Sequence, residues 1–270
     1  MVSIRISAYD PEGVQRHKSV NGSHFSKEEI EEQTLQFKQW VHAGKDYKEW
    51  KYIKKNSIEK PITHSHFPTK KLSDLETPDN KAMSFCLIGS TRSGKSYALC
   101  HIWEMLFKKH ISFLMTLSSH AEIYKPLRKK AVVVDGFHPE LVDEPMYINK
   151  CTKNHYDFCL IFDDLSLQGK NTEQMTKLLT IGRNSGMSAI ISGQKMNMLS
   201  ATGRSNINFV LCFKQNTETA IEDTIKTYLR SYFPKHMKMT DMISMYKDYT
   251  QDHNFFCIDT LNDQCFLSKI

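Results

Sequence analysis

Gly89-Ser90-Thr91-Arg92-Ser93-Gly94-Lys95-Ser96 is the stretch from which the rest of the chain can be read. It has the form G-x-x-x-x-G-K-[ST], and each fixed position has a physical reason. Gly89 and Gly94 permit backbone torsions that a Cβ would forbid, so successive N–H groups can turn inward around phosphate oxygens. A helix beginning at the end of such a loop adds its positive terminus. Lys95 supplies a mobile point charge for the outer phosphates, and the Ser96 hydroxyl can ligate Mg²⁺. The flanks agree with this reading. Met83 to Ile88 is an apolar run that predicts a buried strand. Ser96 to Lys109 predicts a helix with Leu99, Ile102, Trp103 and Leu106 on one face. Gly89 through Ser96, with Tyr97 following, form the expected nucleotide-binding set; Arg92 reads as a solvent-facing loop residue that could touch a phosphate.

Some seventy residues on, Cys159-Leu-Ile-Phe-Asp163-Asp164 is a second apolar strand, ending in two carboxylates. Beside a phosphate loop, Asp163 is placed to order the Mg²⁺ shell opposite Ser96. Asp164 points elsewhere and can polarise a water for attack on the γ-phosphate, which makes it the candidate general base. This pairing favours a hydrolytic ATPase over a small-molecule kinase, for which there is no Arg-rich lid. A guanine-specific enzyme would want N-K-x-D, and Asn149-Lys-Cys-Thr152 lacks the acid. Further along, Ile181-Gly182-Arg183 precedes a strand that ends at Gly193-Gln194. Ligands of open α/β sheets bind beyond the strand tips, so Gln194 can report the state of the γ-phosphate. Arg183 comes before its strand, on the opposite edge, and suits a neighbouring subunit's γ-phosphate as an arginine finger in trans.

The remaining elements alternate. Ile111–Thr116, Ala131–Val134, Phe158–Phe162, Ser188–Ser192 and Asn208–Phe213 read as strands, and Thr172–Ile181 and Thr217–Leu229 as helices. Such alternation implies an α/β fold with a mostly parallel central sheet flanked by helices. Phe255–Asp259 and Gln264–Leu267 suggest a C-terminal β-hairpin. The division expected is an N-terminal charged helical extension and linker over 1–80, a phosphate-loop core over 81–232, and a C-terminal segment over 233–270. Residues 1–80 otherwise read as polar and irregular. Ser26 with Glu29 suggests a capping box, followed by Ile30, Phe37, Trp40 and Val41 on one helical face. A second amphipathic piece is expected from Asp46 to Lys55 with Trp50 and Ile53, and Pro61, Pro68 and Pro78 then read as linker punctuation. Eight lysines face three acids between Lys45 and Lys71. That excess reads chiefly as a solvated surface and secondarily as a docking face for DNA or protein.

The composition of the 270 residues, 40% hydrophobic and 24% charged, excludes whole-chain disorder, collagen and coiled coil. The net charge of +6 suits a polyanionic partner without identifying one. No run reaches the ~18 apolar residues of a membrane helix, and Met1–Asp10 lacks a signal-peptide core. The seven cysteines, odd in number and without a C-x-x-C pair, read as buried reduced thiols of an intracellular protein. His64-x-His66 lacks partners at zinc spacing.

These motifs in this order resemble the FtsK/HerA superfamily of ring translocases, and within it the poxvirus-type genome-packaging ATPases of large DNA viruses and virophages. The resemblance rests on the phosphate loop, Leu160-Ile-Phe-Asp-Asp-Leu165, Gly182-Arg183 ahead of Gln194, and Leu199-Ser-Ala-Thr-Gly-Arg204-Ser-Asn-Ile207. It covers about residues 81 to 232. It implies a RecA/FtsK-like P-loop NTPase that uses ATP and Mg²⁺ and forms a homo-oligomeric ring, hexamer or pentamer. Such a ring moves double-stranded DNA into a preformed capsid, in host cytoplasm or a viral factory, with possible virion association and a capsid-protein docking partner. It assigns phosphate binding to Lys95 and Ser96, Mg²⁺ and water activation to Asp163 and Asp164, sensing to Gln194 and the trans finger to Arg183, with Arg204 a second finger candidate. Arg183 is followed by Asn184 where family members often carry histidine. Lys170, Lys195 and the basic residues from Lys108 to Lys130 are candidate DNA contacts. A monomeric helicase or repair ATPase and a nucleotide-switched assembly protein are the alternatives.

Overall fold

The computed structural model describes residues 3–21, 27–50, 67–75, 82–165, 170–195 and 199–269. The chain divides into two compact units, Met1–His64 and Ser65–Ile270.

In the first unit, strands β1 (Ser3–Tyr9) and β2 (Gln15–Asn21) pair antiparallel, and helix α1 (Lys27–His42) follows. The strands correct the expectation of an irregular N-terminus. Ile6 and Ala8 alternate with Arg5 and Ser7, a two-residue period that fits one buried face. Ile6 and Ala8 pack with Phe37, Val41 and Trp50, and Trp50 meets Phe37 edge-on at 5.1 Å. Phe37 and Val41 thus share the buried helix face expected of them. The helix expected from Asp46 is not formed over 46–50, which is a turn. Ser26, Ile53, Pro61, His64, His66 and Pro78 lie outside the described residues.

The second unit is an eight-stranded sheet of order β10-β9-β8-β3-β7-β6-β4-β5. Its strands are β3 (Ser84–Ile88), β4 (Ile111–Thr116), β5 (Val132–Asp135), β6 (Phe158–Asp163), β7 (Met187–Gly193), β8 (Phe209–Cys212), β9 (Asn254–Asp259) and β10 (Gln264–Lys269). From β8 across to β5 the strands are parallel. The terminal hairpin β9–β10 joins antiparallel beside β8, extending the sheet.

Helices cover both faces because the central strands are buried on both. All residues of β3, β6 and β7 are buried. One face carries α2 (Lys95–Ile102), prolonged by a π-turn over Trp103–Phe107, and the short α3 (Lys125–Arg128). Here Leu99, Ile102, Trp103 and Phe107 pack on Phe85, Leu87, Ile161 and Ile190. The other face carries α4 (Glu140–Cys151), α5 (Lys170–Thr180), α6 (Ala201–Ser205), α7 (Glu218–Thr224) and α8 (Met239–Tyr249), packed on Cys86, Ile88, Leu160, Phe162 and Ile191. The expected α/β architecture with a mostly parallel sheet is borne out. Phe67 and Leu72, from the stretch read as linker, are buried in this unit, and Thr69 bridges to Leu267. Six of the seven cysteines are buried, Cys151 being exposed, and all are free. Among the described residues no helix is long and apolar enough to cross a membrane.

Candidate active site

The phosphate loop leaves the carboxyl end of β3 and enters α2, the strand–loop–helix setting that its motif requires. At Gly89 the reason for glycine is space: a Cβ there would lie 2.7 Å from both Phe213 Cβ and Ser93 Oγ. At Gly94 it is torsion, with φ +101°. Ser90 holds the loop to the β8–α7 connection. Its N–H donates to the Lys214 carbonyl at 2.9 Å, and its hydroxyl accepts from the Asn216 N–H at 2.8 Å and contacts Gln215 Oε1 at 3.2 Å. Gln215 is one of the residues that sequence reasoning missed.

Lys95 is buried, and its Nζ donates to the Ser90 carbonyl at 2.9 Å. Burial lowers the Lys95 pKa from its ordinary value, while Asp164 and Asp163 pull it back up. Ser96 Oγ donates to Asp163 Oδ2 at 2.7 Å, so residues 67 apart in sequence meet as the spacing argument requires. Tyr124, which no sequence motif pointed to, donates its hydroxyl to the same Asp163 oxygen. Burial and the Asp163 charge raise the Tyr124 pKa, which keeps it a donor. With Oδ2 doubly engaged, Asp163 is 1% exposed and its Oδ1 has no hydrogen-bond partner. An unpaired buried carboxylate oxygen beside a serine hydroxyl is the donor chemistry that suits Mg²⁺, so the residues present fit that ion.

Asp164 follows in the left-handed region, φ 51°, with its N–H bonded to the Ser192 carbonyl at 3.1 Å. This torsion diverges its side chain from that of Asp163. Desolvation of its carboxyl group raises the Asp164 pKa, with Lys95 lowering it and Asp163 raising it further. Gln194, one residue past the tip of β7, donates Nε2 to Thr91 Oγ1 at 3.2 Å and so reaches the loop. Lys95, Ser96, Asp163, Asp164 and Gln194 therefore converge at the carboxyl ends of three adjacent strands.

Three candidates lie elsewhere. Arg183 sits exposed in a 3-10 turn (Gly182–Ser185) that precedes β7, at the far end of a strand about 20 Å long. Arg204 is half-buried; its Nη1 donates to the Leu199 carbonyl at 2.8 Å, and it lines a cavity of about 330 Å³ with Gln194, Gln215 and Tyr228. Tyr97 turns an exposed ring into a groove between α2 and residues 122–130. Lys108, Lys125, Lys129 and Lys130 line the same groove. Arg128 is braced on the Ser119 and Ala121 carbonyls. Lys195 is exposed, and the Lys170 side chain lies outside what is described. Asn149, in the segment compared with a guanine-reading motif, is buried and bonded to backbone. Among the described residues no cluster of His, Cys, Asp and Glu could hold a metal by itself.

The sequence profile of the family described as Poxvirus A32 protein matches residues 137–267, a little under half of the chain. The match takes in Asp163, Asp164, Arg183, Gln194 and Arg204, stops short of the phosphate loop, and reaches through α8 to β10, beyond the limit of 232 expected above. No curated protein matches the chain. Among solved structures, the DNA-packaging ATPase B204 of Sulfolobus Turreted Icosahedral Virus is similar at TM-score 0.50 and 20% identity, covering 70% of this chain and 98% of that one. The genome packaging NTPase B204 of Sulfolobus turreted icosahedral virus 2, in complex with AMP, is similar at TM-score 0.51 and 19% identity, covering 71% and 98%. These structural likenesses bear out the P-loop NTPase fold, and the family match bears out the resemblance to poxvirus-type proteins. The intact phosphate loop, with Ser96 in contact with Asp163, has the residues that bind the phosphates of a nucleoside triphosphate.

Proposed function

We propose that this chain, similar to the Poxvirus A32 protein over residues 137–267, is an ATPase that packages a viral genome, translocating double-stranded DNA as a ring whose ATP sites are completed between subunits. One observation carries the reading. Five site residues converge on the phosphate loop, while the exposed Arg183 stands at the opposite strand end, where only another molecule could use it.

In this reading Lys95 and the loop amides hold the phosphate chain. Ser96 and Asp163 hold Mg²⁺, which when bound neutralises developing phosphate charge. Asp164 accepts a proton from water as the water oxygen bonds to the γ-phosphorus and the bond to the ADP oxygen breaks. Its raised pKa makes it a stronger base than an ordinary aspartate. Gln194 links the γ-phosphate position to Thr91, and Arg183 of one subunit stabilises the charge in its neighbour's site. Arg204, held on its own chain's Leu199 carbonyl, supports a role beside Gln194 and not as the finger. DNA grip through Lys195 and the Lys125–Lys130 segment, docking to a capsid protein, and residence in the infected cell belong to the same proposal.

The test is to mix Arg183→Ala subunits into wild type. A ring loses ATPase activity out of proportion to the mutant fraction. A linear decline indicates independent monomers and defeats the proposal.

A further inference from the structure

The residues around the phosphate loop are unevenly distributed, and the imbalance gives the bound nucleotide a direction. Asp163, Asp164 and Gln194 lie on β6 and β7, to one side of β3. They mark the γ-phosphate end. The nucleoside end must then leave towards β8 and β9, on the other side of β3.

His253 stands there. A Cβ built on Gly94 would lie 3.3 Å from His253 Nδ1 and 4.0 Å from its Cγ, so the ring lies against the last glycine of the loop. The residue is exposed, and among the described residues no hydrogen bond or ion pair engages its ring. The backbone sets its position. Asp252 and His253 have φ of 50° and 63°, and the Asn254 N–H closes the turn on the Gln251 carbonyl at 2.9 Å. Two consecutive non-glycine residues in the left-handed region are uncommon; among the described residues Lys153 and Asn154 are the other such pair, and here the turn fixes where the ring stands. The turn is pinned on both sides. Phe255 is fully buried and stacks on Phe213 at 4.6 Å, and Tyr246 donates its hydroxyl to the Phe213 carbonyl at 2.6 Å.

We infer that His253 is a nucleotide-binding residue that packs its ring on the base of the nucleoside triphosphate held by the loop. The turn between α8 and β9 is then the base subsite of this chain. The inference rests on the ATPase reading but is separable from it, because the phosphate chain and the base are bound by different residues.

The experiment compares the affinity of the full chain for ATP and for inorganic tripolyphosphate, which carries the phosphates without the base. The variants are His253→Asn and His253→Gly. Both residue types tolerate left-handed torsions, so the turn is kept. Lys95→Ala serves as the phosphate-side control. Base stacking on an aromatic ring predicts roughly tenfold weaker ATP binding in both His253 variants, with tripolyphosphate binding unchanged. Lys95→Ala should weaken both ligands. Unchanged ATP affinity in the variants, or equal loss for tripolyphosphate, overturns the base subsite alone. Failure of wild type to bind ATP overturns the ATPase reading and this inference with it.

Discussion

Asp163 is held by two hydroxyl neighbours, and only one of them belongs to a motif. Ser96 is given by the spacing of the phosphate loop. Tyr124 reaches the same oxygen from the 3-10 turn after β4 and leaves Oδ1 as the free face of the carboxylate. Groups that orient a metal ligand typically alter metal affinity or activity by ~10–100-fold when removed. Tyr124→Phe should therefore raise the Mg²⁺ concentration that supports nucleotide binding and hydrolysis by about tenfold, with ATP affinity in the absence of Mg²⁺ unaltered. An unchanged Mg²⁺ requirement would show that Ser96 alone sets the carboxylate. The contrast also explains what could be read at this scale. Lys95, Ser96, Asp163, Asp164 and Gln194 were legible because each sits at a fixed offset from a loop or strand end. Tyr124 and His253 were not, since a lone Tyr or His carries no spacing, and their contacts arise only when separate strands are laid side by side.

The Gly182–Ser185 turn shows how an element is positioned by side chains outside it. Asn149 on α4 is fully buried. Its Nδ2 donates to the carbonyls of Tyr156 at 2.6 Å and Ser185 at 2.7 Å, and its Oδ1 accepts from the Tyr156 N–H at 3.1 Å. Gly186, at φ +67°, leaves room for it, since a Cβ there would lie 3.0 Å from Asn149 Nδ2. Asn149→Ala strands these buried backbone groups and should cost about 3 kcal/mol of stability. On the proposed function it should also impair the trans contribution of Arg183 in any fraction that stays folded. Chemical denaturation gives the first effect, and a loss below ~1 kcal/mol would mean that water replaces the amide. The helix that bears Asn149 escaped sequence reading because Pro145 interrupts it. For α8 the signal was present: Met242, Met245, Tyr246 and Tyr249 recur at helical spacing and all are buried. The central strands needed no such subtlety. Each is a mostly apolar run, so β3, β4, β6 and β7 were placed to within a residue at either end, while β1 and β2, half-polar and isolated, were passed over.

At the scale of the molecule, a formal charge of +6 on one chain is a weak reason to expect DNA. In the proposed ring this changes, because each exposed lysine near Lys125–Lys130 or at Lys195 would recur once per subunit about a shared axis. Grip through phosphates is largely indifferent to sequence and releases counterions, so it weakens steeply as salt rises. The central claim is that ATP hydrolysis at this site is coupled to duplex DNA, and it is tested most directly by measuring the ATPase rate with and without duplex across a salt series. The account predicts stimulation by duplexes of unrelated sequence, falling steeply with ionic strength. A rate that duplex DNA leaves unchanged even at low salt would contradict it.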